Sequence, residues 1–410
     1  MRARRYQYPG VEARELRALA PVPANIRENV AEILDDVRVR GDEAVREWSR
    51  RFDDTEPGRV DPSEIERALE ALEPDVRASL KLAAQNVRTV ADAELRDPIR
   101  VALPQGQDVE LPELPMRRAG IYAPGGRAAY PSTVVMCAVP ARVAGVEELV
   151  VTTPGSDVVL AACALCGIEE VHIVGGAQAI GALAYGTAAI EAVDVIVGPG
   201  NAYVQEAKRQ VVGTVGIDGI EGPSELFVVA DEDADPAQVA LDLAAQGEHG
   251  EETLLVLATP SAALLDAVEA EAGRLSERPS VSDAPLALVR TTSLEAAVAL
   301  SNEIAPEHLE LNVADPAPLV PLVCAAGCVF IGRNGGAAFG DYVAGSNHVL
   351  PTGGAARFAG PLGASTFRRR QALVTLPDGA ARQLAPHVGN IARAEGFPVH
   401  GESAEARGRP

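Results

Sequence analysis

The 410-residue chain has only two lysines, Lys81 and Lys208, with one tryptophan, five cysteines and no long hydrophobic run. Two lysines leave almost no candidate for Schiff-base chemistry. The 36 basic against 58 acidic side chains give a formal charge of −22 at pH 7. A phosphate backbone or an anionic membrane surface needs a basic face, so neither is expected as the main partner. The longest apolar run, Leu319 to Ile331, is far short of the roughly 20 residues that span a bilayer. The opening MRARRYQYPGVEAREL is basic but leads into no apolar core, so it does not read as a secretory signal. The expectation is a soluble, cytoplasmic protein. Five cysteines in apolar stretches suit reduced, buried thiols, and the Cys163-x-x-Cys166 pair lies inside an apolar segment rather than at an exposed helix start.

What is present is a 47% apolar composition spread along the chain, which excludes disorder, and a length that suits two or three domains. The early part reads as helical. Ile26, Val30, Ile33, Leu34 and Val37 keep one helical face. Gly41 ends that helix and Asp42 can cap the next, whose buried face is Val45, Trp48 and Phe52. Asp61-Pro62-Ser63-Glu64 combines a cap, a proline in the first turn and a following acid, and Ile65, Leu69 and Leu72 follow at helical spacing. A further helix from Pro74 carries Val76, Leu80, Val87 and Val90.

After Pro115 nine short β-rich runs appear: 119–122, 148–152, 170–174, 194–197, 226–230, 253–257, 286–290, 309–313 and 328–331. Helical segments separate most of them. This alternation predicts an α/β protein with parallel sheets covered by helices, and nine strands imply two such units. The tail from Phe367 reads as polar and irregular.

Three glycine-rich loops follow strands: Tyr122-Ala123-Pro124-Gly125-Gly126, Gly175-Gly176-Ala177-Gln178 and Gly198-Pro199-Gly200-Asn201. Each is either a tight strand-to-helix turn or a phosphate cradle, in which backbone amides and a helix start meet an anion. Three at strand ends favour a nucleotide site. Of the six histidines, His249 lies three residues after Gln246 and shares its helical face, either as metal ligands or as a polar helix end. Glu307-His308 offers two adjacent proton acceptors or a surface turn. Asp341 and His348 frame a glycine-rich loop able to present a carboxylate and an imidazole. His172 reads as a core or interface histidine, and His387 has no acidic or amide neighbour. His400 sits ten residues from the end, where a function implies a docked tail.

Taken in order, VRVRGDEAV, RFD, GIYAPGGRAAYPSTVVM, VGGAQAIGALAYGT, VGPGNAYVQEAKRQV, GPSE, QGEHG, APEHLEL, GDYVAGSNHVLPTGGAARF and AEGFPVH resemble the histidinol dehydrogenase family over nearly the whole chain. The resemblance implies two intertwined, incomplete Rossmann-like domains, a short N-terminal arm and a small C-terminal domain exchanged in a homodimer. On this reading 1–22 is the arm, 23–121 with 223–362 the catalytic domain, 122–222 the NAD-binding domain and 363–410 the exchanged domain. It implies Gln246, His249, Asp341 and His400 as ligands of one zinc ion per subunit, with His400 from the partner. Glu307 and His308 would be the proton acceptors, and His308 suits a base near pKa 7. Ser224 and Glu395 would contact L-histidinol together with His308 and the zinc ligands. Tyr122, Gln178 and Asn201 would contact NAD. The implied reaction is two successive oxidations to L-histidine.

The chain departs from the family pattern at Gly219-Ile220-Glu221-Gly222, where an unexpected carboxylate precedes GPSE, at Gly247, and in a short segment after TTP. Three competing readings are a paralogue acting on another small alcohol, a zinc hydrolase using Glu307 as base, and a non-catalytic nucleotide-binding protein.

Overall fold

The computed structural model describes residues 1–20, 26–53, 56–125, 129–220 and 222–408. Gly126 of the first glycine loop, the expected 22/23 boundary and Glu221 lie outside the described residues. All nine expected strands form, with bounds shifted by a residue or two at most.

They build two six-stranded sheets. In one, Arg118–Tyr122 is central. Glu148–Thr153 and Glu170–Ile173 follow on one side, and Val195–Val197 and Gly216–Ile217 on the other, all parallel. The short strand Gly58–Arg59 closes the far edge antiparallel. In the second sheet Glu225–Ala230 is central. Leu254–Thr259 and Pro285–Arg290 lie on one side, and His308–Asn312 and Cys328–Ile331 on the other. Arg2–Gln7 adds a sixth parallel strand beside Pro285–Arg290, so this part of the expected arm is a working sheet edge.

Both faces of each sheet are covered, because strands apolar on both sides lose that surface to water unless helices bury it. On the first sheet, Ile121, Val151 and Val197 meet helices Pro131–Ala144 and Asp157–Leu165 on one face. Val150 and Ile196 meet helices Gly176–Tyr185 and Ala202–Val211 on the other. On the second, Leu226, Val228 and Leu257 pack under Pro236–Gly247 and Ala262–Leu275. Phe227, Val229 and Val256 pack under Leu294–Ile304, together with Leu16 of the short helix Ala13–Arg17.

Ile26, Val30, Ile33, Leu34 and Val37 are all buried, and they share a core with Ile180 and Leu183 of the first sheet's layer. Ile65, Leu80 and Val87 share one with Val134 and Val151, and with Val349 and Leu362 from the later part of the chain.

Asp61 caps its helix as expected, accepting the Ser63 N–H at 2.8 Å. Three positions fall off the expected faces. Phe52 is exposed and stacks on Trp48, and Val76 and Val90 are exposed because helix Pro74–Glu94 buries Leu80, Ala83, Val87 and Ala91. Cys137 and Cys163 are buried, whereas Cys324 is exposed. Burial pushes the Cys166 thiol up to about 12, which suits an inert cysteine.

The tail is not irregular. Arg368–Arg370 and Leu373–Thr375 pair with strands Glu113–Pro115 and Asp108–Leu111, and helices Asp378–Ala394 and Pro398–Arg407 pack chiefly on each other. Their contact relies on small residues such as Ala385, Gly389 and Gly401, which carry little hydrophobic signal.

Candidate active site

The two units meet where helix Pro131–Ala144, which follows the first glycine loop, faces the amino-terminal edge of the second sheet. Thr133 Oγ1 is 3.2 Å from His348 Nε2, and Met136 C=O accepts from Asn347 Nδ2 at 2.7 Å. The expected catalytic residues collect along that edge.

Glu307 and His308 stand where helix Leu294–Ile304 passes into strand His308–Asn312, and both are buried. Gly327 lets the next strand approach this point, since a Cβ there would stand 2.6 Å from the Glu307 carbonyl oxygen. The His308 Nδ1 lies 3.2 Å from the Glu225 carbonyl oxygen and 3.4 Å from Glu307 Oε2. Both neighbours accept hydrogen bonds only, so Nδ1 carries the proton and Nε2 faces the site. The Nε2 lies 3.3 Å from Asp341 Oδ1, and the ring stacks on Phe330 with centroids 5.9 Å apart.

Burial alone lowers the His308 pKa. The Glu307 charge and the Asp341 contact outweigh it and hold the imidazole well above its ordinary value. At Asp341, burial raises the carboxyl, but His308 outweighs it, with His348 and His249 adding, and the net position is below the ordinary carboxylate range. Burial keeps His348 below its ordinary value, and its Nδ1 lies 2.8 Å from the Asp341 carbonyl oxygen.

Gln246 is buried at the end of helix Pro236–Gly247, and its amide nitrogen has no hydrogen-bond partner. A buried N–H donor without an acceptor costs on the order of 1–3 kcal/mol, which suits a bound molecule that offers an acceptor there. His249 is exposed just beyond, with its ring stacked on Tyr130 at 6.5 Å. Among the described residues no three His, Cys, Asp or Glu side chains form a metal cradle. Of the expected ligands of those types, one chain brings His249 and Asp341 to this edge. His400 and Glu395 are exposed on the C-terminal helical pair, where His400 packs against Phe397 with centroids 5.5 Å apart. Ser224 is half-buried directly before strand Glu225–Ala230, its carbonyl taking the Leu254 N–H at 3.0 Å.

The three glycine loops lie at the carboxyl edge of the first sheet. Its strand order reverses beside the central strand, between Arg118–Tyr122 and Val195–Val197, which is where open α/β sheets bind ligands. Gly198 has φ +110°, and a Cβ there would meet the Tyr122 carbonyl oxygen at 2.2 Å, so only glycine fits. The loop is tied from beneath by buried Lys208, whose Nζ lies 2.5 Å from Asp218 Oδ1 and 3.0 Å from the Gly198 carbonyl oxygen. Asn201 is exposed and caps helix Ala202–Val211, taking the Tyr203 and Val204 N–H groups. Tyr122 is buried, and its hydroxyl takes the Gly176 N–H at 3.2 Å. Gln178 is buried with Nε2 3.3 Å from Asp53 Oδ2 and its amide oxygen unpartnered.

The histidinol dehydrogenase family model matches residues 20–408. The chain belongs to the histidinol dehydrogenase family. That is a family of oxidoreductases. The chain is 45% identical to histidinol dehydrogenase of Dechloromonas aromatica over 93% of its own length and 92% of that protein's. It is 42% identical to that of Pseudomonas putida, covering 93% and 90% of the two chains. The crystal structure of the Elizabethkingia anophelis family member aligns with TM-score 0.91 at 29% identity, over 99% of this chain and 98% of that one.

Sequence reasoning passed over three groups at the site. Glu225 is the fourth residue of GPSE, yet no local pattern reveals that it exchanges hydrogen bonds with Glu307. Arg17 sits in what read as a terminal arm. Glu310 and Asp242 form a buried carboxyl pair, both pushed up by burial, and Glu310 Oε1 takes the Ala337 N–H that opens the helix carrying Asp341. The one available signal was Glu310 itself, a charged residue set between Leu309 and Leu311 in a fully buried strand.

Proposed function

We propose that the protein oxidises L-histidinol to L-histidine in two successive steps, with NAD as hydride acceptor and one zinc ion per subunit, as a homodimer with shared sites. The observation that carries this reading is the Glu307–His308 pair, with His308 Nδ1 held by acceptors and Nε2 turned to Asp341.

His308 takes the hydroxyl proton on Nε2, and its Nδ1–H stays on the Glu225 carbonyl, which keeps the ring in plane as its charge changes. Engaging Asp341 with a cation removes one of the two carboxylates that raise this imidazole, and so returns it toward the range of a base. Glu307 takes a proton from the water that hydrates the bound aldehyde before the second oxidation. Burial of both groups limits the escape of that aldehyde.

Gln246, His249 and Asp341 would hold the zinc with His400 from a second copy. Bound there, the metal supplies substrate orientation and charge stabilisation. Amide-oxygen, imidazole and carboxylate donors suit a borderline divalent ion. Ser224 and Glu395 would contact the substrate. Tyr122, Gln178 and Asn201 would shape the dinucleotide site, with the unpartnered Gln178 oxygen available as an acceptor. Ile391, Phe397 and Val399 are exposed around Glu395 and His400, and this supports a tail that docks on a partner.

The test is to supply L-histidinol, NAD and zinc to the purified protein and identify the product. Histidine should form, stop on chelation and resume with zinc. Preferential oxidation of another small alcohol would transfer the chain to a paralogous activity. Mixed dimers of Glu307→Gln and His400→Asn subunits should regain activity that neither variant has alone.

A further inference from the structure

The chemistry above uses nothing from the N-terminal segment, yet one of its side chains reaches Glu225, which bonds both members of the catalytic pair. Leu16 is fully buried and anchors helix Ala13–Arg17. From there Arg17 Nη1 lies 2.6 Å from Glu225 Oε1, and Nη2 donates to the Ile304 carbonyl. Ala305 follows with φ +51°, the one left-handed non-glycine residue among those described, two residues before Glu307.

Glu225 passes this anchorage on. Its Oε2 takes the Glu307 N–H at 3.2 Å, and its own N–H donates to Glu307 Oε2 at 2.8 Å. Its Oε1 also takes the Gly353 N–H at 3.1 Å, and its carbonyl receives His308 Nδ1–H. Each catalytic side chain thus has a hydrogen bond to this one residue.

We propose that Arg17 and Glu225 are positioning residues for the reaction: their ion pair fixes the Glu307 carboxylate and the Nδ1-protonated His308 ring, and makes the N-terminal helix part of the active site. This rests on the reading of Glu307 and His308 as proton acceptors. The physical reason is the burial of Glu225. Without the guanidinium its carboxyl goes neutral, one oxygen becomes a donor, and the group can no longer accept from both the Glu307 and the Gly353 N–H. A shift of about 1 Å in a reacting group costs on the order of 10² in rate.

The test compares Arg17→Met, Glu225→Gln and the double variant by kcat and KM, with 15N NMR of the histidine rings. Each single variant should lose about 10²-fold in kcat, with KM for histidinol and for NAD little changed. The double variant should lose no more than the worse single, because the two act as one unit. Arg17→Lys should recover only part of the rate, since an ammonium cannot span Glu225 and the Ile304 carbonyl as a planar fork does. It also serves as the folded variant if Arg17→Met fails to fold. The His308 Nδ1–H signal should lose its hydrogen-bonded position in the Arg17 variants. Lower thermal stability with kcat and the His308 signals unchanged would overturn the proposal. A wild-type protein silent toward histidinol would sink the reaction assignment, while the ring spectra still decide whether Arg17 orients His308.

Discussion

The two sheets are built alike and are used at opposite ends. In each, the first strand of the unit is central, the next two lie on one side and the last two on the other. The first sheet presents Gly175, Gly198 and Asn201 beyond its carboxyl edge, where glycine turns lead into helix starts. The second presents Glu225, Glu307 and His308 at its amino edge, where one strand's entry side chain bonds another strand's entry backbone. Glycine turns make a cradle that gives way to a ligand's shape, whereas reciprocal strand-entry bonds hold charged side chains still. On the proposed reading, a dinucleotide held at the first edge would meet the acid–base pair held at the second.

The sharpest break in this comparison is Glu307→Gln, which keeps the shape and removes the acceptor. Turnover should fall on the order of 10²–10⁴-fold while dinucleotide binding by calorimetry stays intact. Lys208→Met attacks the other edge. It leaves the buried Asp218 carboxylate without its counter-charge, and denaturant unfolding should show a loss of about 3–5 kcal/mol together with weaker dinucleotide binding. A milder change there is Asn201→Ala, which removes a helix cap for about 1 kcal/mol and should raise the KM for NAD more than it lowers kcat.

The smallest effect lies away from both edges. Hydrogen bonding from His172, outweighing burial and joined by Arg118, lowers the Glu170 carboxyl to about 2. Its folded value is depressed, so its contribution is complete above the ordinary value of 4.5 and is lost as pH falls from there toward 2. Glu170→Gln should flatten unfolding curves measured across that window and leave turnover unchanged.

The strands were legible because buried parallel strands are apolar on both faces, a pattern that depends on no distant partner. Glu307-His308 and Gln246–His249 were legible as local spacings. The rule that ligands meet strand carboxyl ends anticipated the glycine loops but not the amino-edge site. That site depends on strand entries brought together from positions 82 residues apart. The C-terminal helices escaped notice because Ala385, Gly389 and Gly401 pack by smallness. Phe52, Val76 and Val90 fit a helical repeat, but the partner helix covers a neighbouring stripe.

The central claim is that one amino-edge site carries both oxidations without releasing the aldehyde between them. The direct measurement is the count of NADH formed per histidinol consumed by the zinc-loaded protein, with an aldehyde trap in solution. The account predicts two NADH per substrate and no trapped aldehyde. One NADH per substrate, with the aldehyde recovered in the trap, would contradict it.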